Sequence, residues 1–301
     1  MNALRQDGSR EGSPLMSRLV FGIVLALCAG PGSRAAKADA IHGPWTLGHG
    51  DLSVIYSGSG SAFGSEVHLH SGAVVDGQTL TADEHGEPSE IQIVVPVAAN
   101  LKRINNPSGF FEGAANGYYF TGDDYNATGA TVGGNLWMLG SSGDAAHYGT
   151  PFVGLSAEEL TAAAWDGNIS LTLGTVGFDG SAYGTTGGVF SFYSEELTAM
   201  WSSVGSFTQQ SVALIPEAGH IHGFMFFSQP GTYQVTLLAN GTLAGDPGIP
   251  VSGSAVYTFQ VVPEPSSVAL AGLGAAGVLA AGWRRRRRAA GRNSTATEIA
   301  G

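Results

Sequence analysis

The sequence predicts an all-β protein: an antiparallel β-sandwich of immunoglobulin-like or jelly-roll-like type, flanked by an N-terminal signal helix and a C-terminal apolar helix. Three observations carry this expectation. Short runs rich in β-branched and aromatic residues recur along residues 41–262. Glycine, 46 of 301 residues, punctuates them together with Ser, Asn and Asp. Long helical periodicity is missing, so sheets are left to bury the apolar side chains.

Residues 1–40 read as an extension and a secretory signal. The signal pattern begins afresh at Met16, with Arg18 as its basic start, the apolar run Leu19–Cys28 and the small-residue exit Ala38-Asp39-Ala40. Cys28 is the only cysteine. The exported part then has no thiol, which excludes disulfides, thiolate metal sites and cysteine nucleophiles.

Within residues 41–262 the predicted strands are Leu52–Tyr56, Glu66–His70, Ile91–Val97, Ile169–Gly174, Val189–Tyr193, Gly223–Phe227, Tyr233–Leu238 and Ala255–Val262. Pro230-Gly231 and Asn240-Gly241 mark turns. Tyr233, Val235 and Leu237 alternate with polar neighbours, as do Tyr257, Phe259 and Val261, so these two runs are expected to pair. Ser156–Trp165 is expected to form a short helix, with Ser156 and Glu159 as a capping box. Gly122–Gly143 is the expected long loop.

The segment is strongly acidic. It holds two basic residues, Lys102 and Arg103, against nineteen Asp and Glu, although the whole chain has a net charge of −11. Such a surface repels nucleic acid and attracts cations. All eight histidines lie in it, at 42, 49, 68, 70, 85, 147, 220 and 222. Three pairs stand out: His49 with Asp51, His68 with His70, and His220 with His222. In a strand, residues i and i+2 share a face. Each pair can therefore aim two ligands at one point, and imidazole with carboxylate suits Zn²⁺ without thiolates. If the starts of these strands converge at one end of a sandwich, the six residues can complete a metal site. His85, in an acidic stretch, is a candidate accessory cation site.

Enzyme signatures are missing. There is no Gly-x-Ser-x-Gly elbow, no His-Glu-x-x-His and no phosphate-binding glycine loop. The neighbours Asp123-Asp124 and Glu158-Glu159 are expected to point apart, which leaves no acid/base couple. The sequence is read as a non-enzyme. Trp137, Tyr148, Trp165 and Trp201 would supply a carbohydrate-binding surface if exposed.

The C-terminus has three parts: Pro263-Glu264-Pro265, the small-residue apolar run Val268–Gly282, and the basic block that includes Arg284, Arg285 and Arg286. This order resembles the PEP-CTERM sorting signal over residues 263–288, leaving 289–301 as a disordered tail. The resemblance implies export, processing by an exosortase, a transient inner-membrane anchor and delivery to the cell surface or extracellular matrix.

A second resemblance covers most of residues 41–262. His220-Ile221-His222, the aromatic strand after it, Pro230-Gly231-Thr232-Tyr233 and the closing Tyr257-Thr258-Phe259 are similar to the bacterial choice-of-anchor M domain, and Gly48-His49-Gly50-Asp51 resembles its opening motif. Gly223-Phe224 departs from the Asn-Trp usual after the second His. With the sorting tail, the chain looks like the PEP-CTERM branch repressed by the zinc-uptake regulator. That resemblance implies zinc capture under scarcity and a metal transport system as partner. The expectation is thus an exported protein that binds zinc; the competing readings are a structural or adhesive matrix protein and a carbohydrate-binding module.

Overall fold

The structure is a computed structural model that describes residues 41–103, 111–112, 126–245, 249–263 and 283–284. The signal segment, the apolar run Val268–Gly282 and the sorting residues Glu264, Pro265, Arg285 and Arg286 lie outside these residues. No helix among the described residues is long and apolar enough to cross a membrane.

The chain is mostly β. In order the strands are β1 (Gly43–Ile55), β2 (Gly64–Leu69), β3 (Val74–Val75), β4 (Gln78–Thr79), β5 (Glu84–Gly86), β6 (Ile91–Val95), β7 (Asn100–Arg103), β8 (Phe111–Glu112) and β9 (Asn135–Leu139). Helix α1 (Ser142–Tyr148) follows, then β10 (Pro151–Ser156), β11 (Ile169–Asp179), β12 (Phe190–Ser194), β13 (Ala199–Ser202), β14 (Val212–Leu214), β15 (His220–Phe227), β16 (Gly231–Thr242) and β17 (Pro250–Val261). Each of the eight predicted runs overlaps a strand, although Pro96-Val97, predicted as strand, leads into a 3-10 turn. The expected pair at the C-terminal end forms in full, with β16 and β17 antiparallel from Gly231↔Val261 to Thr242↔Pro250.

The strands form three ladders. The first runs β4-β3-β1-β6-β17-β16-β11-β14. The second runs β5-β2-β1-β10-β15. The third runs β13-β12-β15-β9-β7-β8. β1 and β15 each serve two ladders and join them into one network. Gly48 marks the switch in β1. It has φ +83°, and a Cβ there would press on the backbone of Gly72 and Ala73. The network is mixed rather than purely antiparallel, because β1–β10, β1–β6 and β6–β17 are parallel.

Two local expectations are corrected. Ser156–Trp165 is not a helix: Ser156 ends β10, and only Ala162–Ala164 form a short 3-10 turn. The Ser156 hydroxyl does accept an amide, but from Glu158 at 3.0 Å, which makes a tight turn rather than a cap. A capped α-helix lies earlier, at α1, where Ser141 and Asp144 form the capping box and Gly149 closes the end in a left-handed conformation. The span Gly122–Gly143 is not one loop either, since it contains β9, which β15 pairs through Met225↔Leu139.

The apolar side chains divide into two clusters. The larger draws Leu52, Val67, Leu155, Phe192, Phe227, Phe259 and others from all three ladders. The smaller holds Leu136, Met138, Tyr193, Phe224 and Phe226. Strands β9, β12 and β15 of the third ladder are thus buried on both faces, which explains the unbroken apolar run at the end of β15: Phe224 and Phe226 enter one cluster, Met225 and Phe227 the other. Trp137, Trp165 and Trp201 are buried in the larger cluster, so they supply no carbohydrate platform.

Candidate metal centre

The second ladder has two unlike faces. Leu52, Val54, Val67, Leu69, Val153 and Leu155 point into the larger apolar cluster. The alternate residues, by the period-2 rule, share the other face, and every predicted ligand is among them. Register aligns them in adjacent rows. His85, His68, Asp51, Gly154 and His222 lie side by side across five strands. His49 sits opposite Phe152 in the next row and its carbonyl accepts the His70 amide at 3.1 Å. Ser53, Ser156 and His220 form the row on the other side. The six predicted residues are therefore brought together across one sheet face, by lateral pairing, rather than by strand starts meeting at one end.

Asp51 is the centre. Its side chain is fully buried. His70 Nε2 donates to Asp51 Oδ2 at 2.8 Å. His49 Nε2 lies 3.4 Å from Oδ1 and His220 Nδ1 lies 3.5 Å from Oδ2. Burial pushes the Asp51 pKa up, but the His49 and His70 contacts and the charge of His220 outweigh it, so the carboxyl titrates below its usual 3.8. His222 is also lowered, from 6.5 to about 4, first by desolvation and then by His220 and His49. The Phe152 ring stacked on it at 4.0 Å supplies part of that dry surface. His222 is thus a neutral imidazole at pH 7, the form that ligates.

Space for this cluster depends on Gly154. A Cβ at that position would overlap Asp51 Oδ1 and lie 3.2 Å from His222 Cε1. The carboxylate and the imidazole occupy the volume a side chain would fill.

Four polar atoms here are buried and make no hydrogen bond: His49 Nε2, Asp51 Oδ1, His220 Nδ1 and His222 Nδ1. Buried polar groups are nearly always paired, and an orphan costs about 1–3 kcal/mol. These residues also offer ligand atoms that lie within 4.8 Å of one another. The two His–Asp contacts of 3.4 and 3.5 Å are long for hydrogen bonds. Each runs to a different oxygen of Asp51, and each is close to the edge of a coordination tetrahedron, about 3.3 Å for metal–ligand bonds near 2.0–2.1 Å. Three imidazoles and one carboxylate can hold a divalent ion chemically.

A second set overlaps the first: Asp51, His68, His70 and Glu158. Glu158 was not among the expected ligands. Glu158 and Glu159 do not diverge, since both reach His68 Nδ1, at 2.9 and 3.6 Å. The Ser156 turn bends the chain so that adjacent side chains converge. His85 lies on β5, where its ring stacks on His68 at 4.5 Å and its Nδ1 meets Glu66 Oε1 at 2.7 Å. The alternation Phe152-x-Gly154-x-Ser156 was the sequence signal for β10 as the middle strand of the site. His42 and His147 lie in neither set.

Comparison with known proteins adds one finding. The PEP-CTERM protein-sorting motif matches residues 261–287. The chain therefore carries the signal of an exported protein that exosortase sorts to the cell surface. No curated protein matches the chain.

Proposed function

We propose that this exported protein binds a divalent metal ion, zinc, through His49, Asp51, His220 and His222. The observation that carries the reading is the set of four buried donor atoms without hydrogen-bond partners, drawn from two strands and gathered at one point. Zinc fits a nitrogen-rich tetrahedral set without sulfur. His70 in this reading orients Asp51 by its 2.8 Å hydrogen bond, as partners of metal ligands commonly do. The acidic surface raises the local cation concentration. The ion would serve binding rather than catalysis, in a surface protein that acts when zinc is scarce and hands it to a metal transport system. That wider role, and a choice-of-anchor M assignment, rest on the sequence resemblance. A β-sandwich architecture is supported by the single apolar cluster to which all three ladders contribute.

Calorimetric titration with zinc tests the reading, run on the wild-type chain beside His220→Ala/His222→Ala. Binding is expected in the first and lost in the second. Equal binding by both removes the site, and absence of binding in the wild type leaves the structural matrix reading in its place.

A further inference from the structure

We infer that the cluster holds two divalent ions, with Asp51 as the carboxylate that bridges them. The inference rests on the metal-binding reading above and extends it to a second ion held by Asp51, His68, His70 and Glu158.

The two donor sets share Asp51 alone. Its two oxygens serve different neighbours. Oδ1 lies 3.4 Å from His49 Nε2 and is the oxygen that a side chain at 154 would strike. Oδ2 lies nearest His70 Nε2, at 2.8 Å, with His220 Nδ1 farther off at 3.5 Å. One tetrahedral ion is saturated by Asp51, His49, His220 and His222. That leaves His68, His70 and Glu158 grouped with the second oxygen of Asp51, again four donors with ligand atoms within 4.8 Å. A carboxylate presented in this way is the usual bridge of a two-metal site, where the ions stand about 3.5–4 Å apart.

The second set is also built rather than incidental. His68 is buried, and Asp51 is fully buried. A surface cluster would not need to desolvate a carboxylate. Glu158 reaches both sets, with Oε1 2.9 Å from His68 Nδ1 and Oε2 3.8 Å from His220 Nδ1. Two ions bring four positive charges to a cluster whose carboxylates are Asp51 and Glu158, with Asp83 and Glu159 within reach of its histidines. Coordination by His70 Nε2 displaces the hydrogen now shared with Asp51. That hydrogen moves to Nδ1, which faces Asp83 Oδ2 at 3.9 Å. When His68 Nδ1 coordinates, the hydrogen it shares with Glu158 Oε1 is likewise exchanged for one on Nε2, so the ring stays a neutral imidazole.

Stoichiometry decides the matter. The full chain is stripped with a chelator, incubated with excess zinc and desalted, and zinc and protein are quantified by mass spectrometry and absorbance. Two ions per chain are expected for wild type and one for His70→Gln/Glu158→Gln. Cobalt substitution gives a second readout, since a carboxylate-bridged pair is magnetically coupled and its resonance signal is reduced relative to the one-ion variant. One zinc per chain in the wild type overturns the second ion and leaves the first standing. No zinc overturns both. Two ions retained by His70→Gln/Glu158→Gln overturn this ligand set. Far-UV circular dichroism checks that the variant folds, and where it does not, the wild-type count alone decides.

Discussion

A methyl group at position 154 would occupy the space of Asp51 Oδ1 and touch the His222 ring. Gly154→Ala is therefore expected to force the carboxylate or the strand aside, at about 1–3 kcal/mol of stability. It should weaken zinc binding at least tenfold while the fold persists; urea unfolding and calorimetry check the two effects. Unchanged affinity would show that Asp51 is not a ligand in its present position. His222 gives a pH dependence. Its pKa falls from 6.5 to about 4 on folding because of desolvation and the neighbouring His220 and His49, against the opposing charge of Asp51. Between those values the unfolded chain binds a proton that the folded chain refuses. Stability of the metal-free protein is thus fully present above pH 6.5 and declines toward pH 4, by about 1.4 kcal/mol per unit at the steepest. Urea midpoints of the chelator-treated chain across this range should fall with pH, and the fall should be smaller in His222→Asn. An equal slope in both chains would assign the effect elsewhere.

β15 carries two duties along one strand. Its first half, His220 to His222, pairs with β10 in the ladder that bears the site; its second half, from Gly223, pairs with β12 in the third ladder, where both strands are buried on both faces. Phe226 lies in the smaller cluster beside Tyr193, away from the imidazoles. Phe226→Ala is expected to cost about 3–5 kcal/mol by leaving a cavity, with zinc affinity unchanged in the fraction that stays folded. A lowered melting temperature with normal calorimetric affinity would confirm the division of duties, and a proportionate loss of affinity would refute it. Elements such as β15 were legible in the sequence because period-2 pairing of histidines and an apolar run are local signals. Which strands lie side by side is not local. The parallel pairing of β1 with β10 joins residues about a hundred positions apart, and with the β10–β15 pairing it sets Asp51 beside Gly154 and His222. For the same reason Glu158 was misread: its direction is fixed by a turn after β10, whereas Ser156 and Glu159 satisfy a helix-cap pattern with no helix to follow. The capping box at Ser141 was real and overlooked, because its helix is only seven residues long and sits in a glycine-rich stretch.

At the scale of the whole chain, charge separates two functions. Residues 41–262 hold two basic residues against nineteen acidic, whereas the matched sorting motif at 261–287 ends in an arginine block. A basic flank remains on the cytoplasmic side of an apolar segment while the acidic part is exported. Deleting residues 263–288 is therefore expected to leave export intact and abolish surface sorting, so that the protein collects as a free periplasmic species in cell fractionation. Retention at the surface would place the sorting signal elsewhere. The exported part answers to a different variable. Zinc that binds only the folded chain stabilises it by RT ln(1 + [Zn]/Kd), which is about 2.7 kcal/mol at a hundredfold excess over Kd. Melting temperature should rise with zinc in the wild type and in the chain lacking 263–288 alike. It should stay flat in His220→Ala/His222→Ala. A zinc-dependent rise that survives in that variant would mean that the ion acts outside the face where β1, β2, β10 and β15 converge.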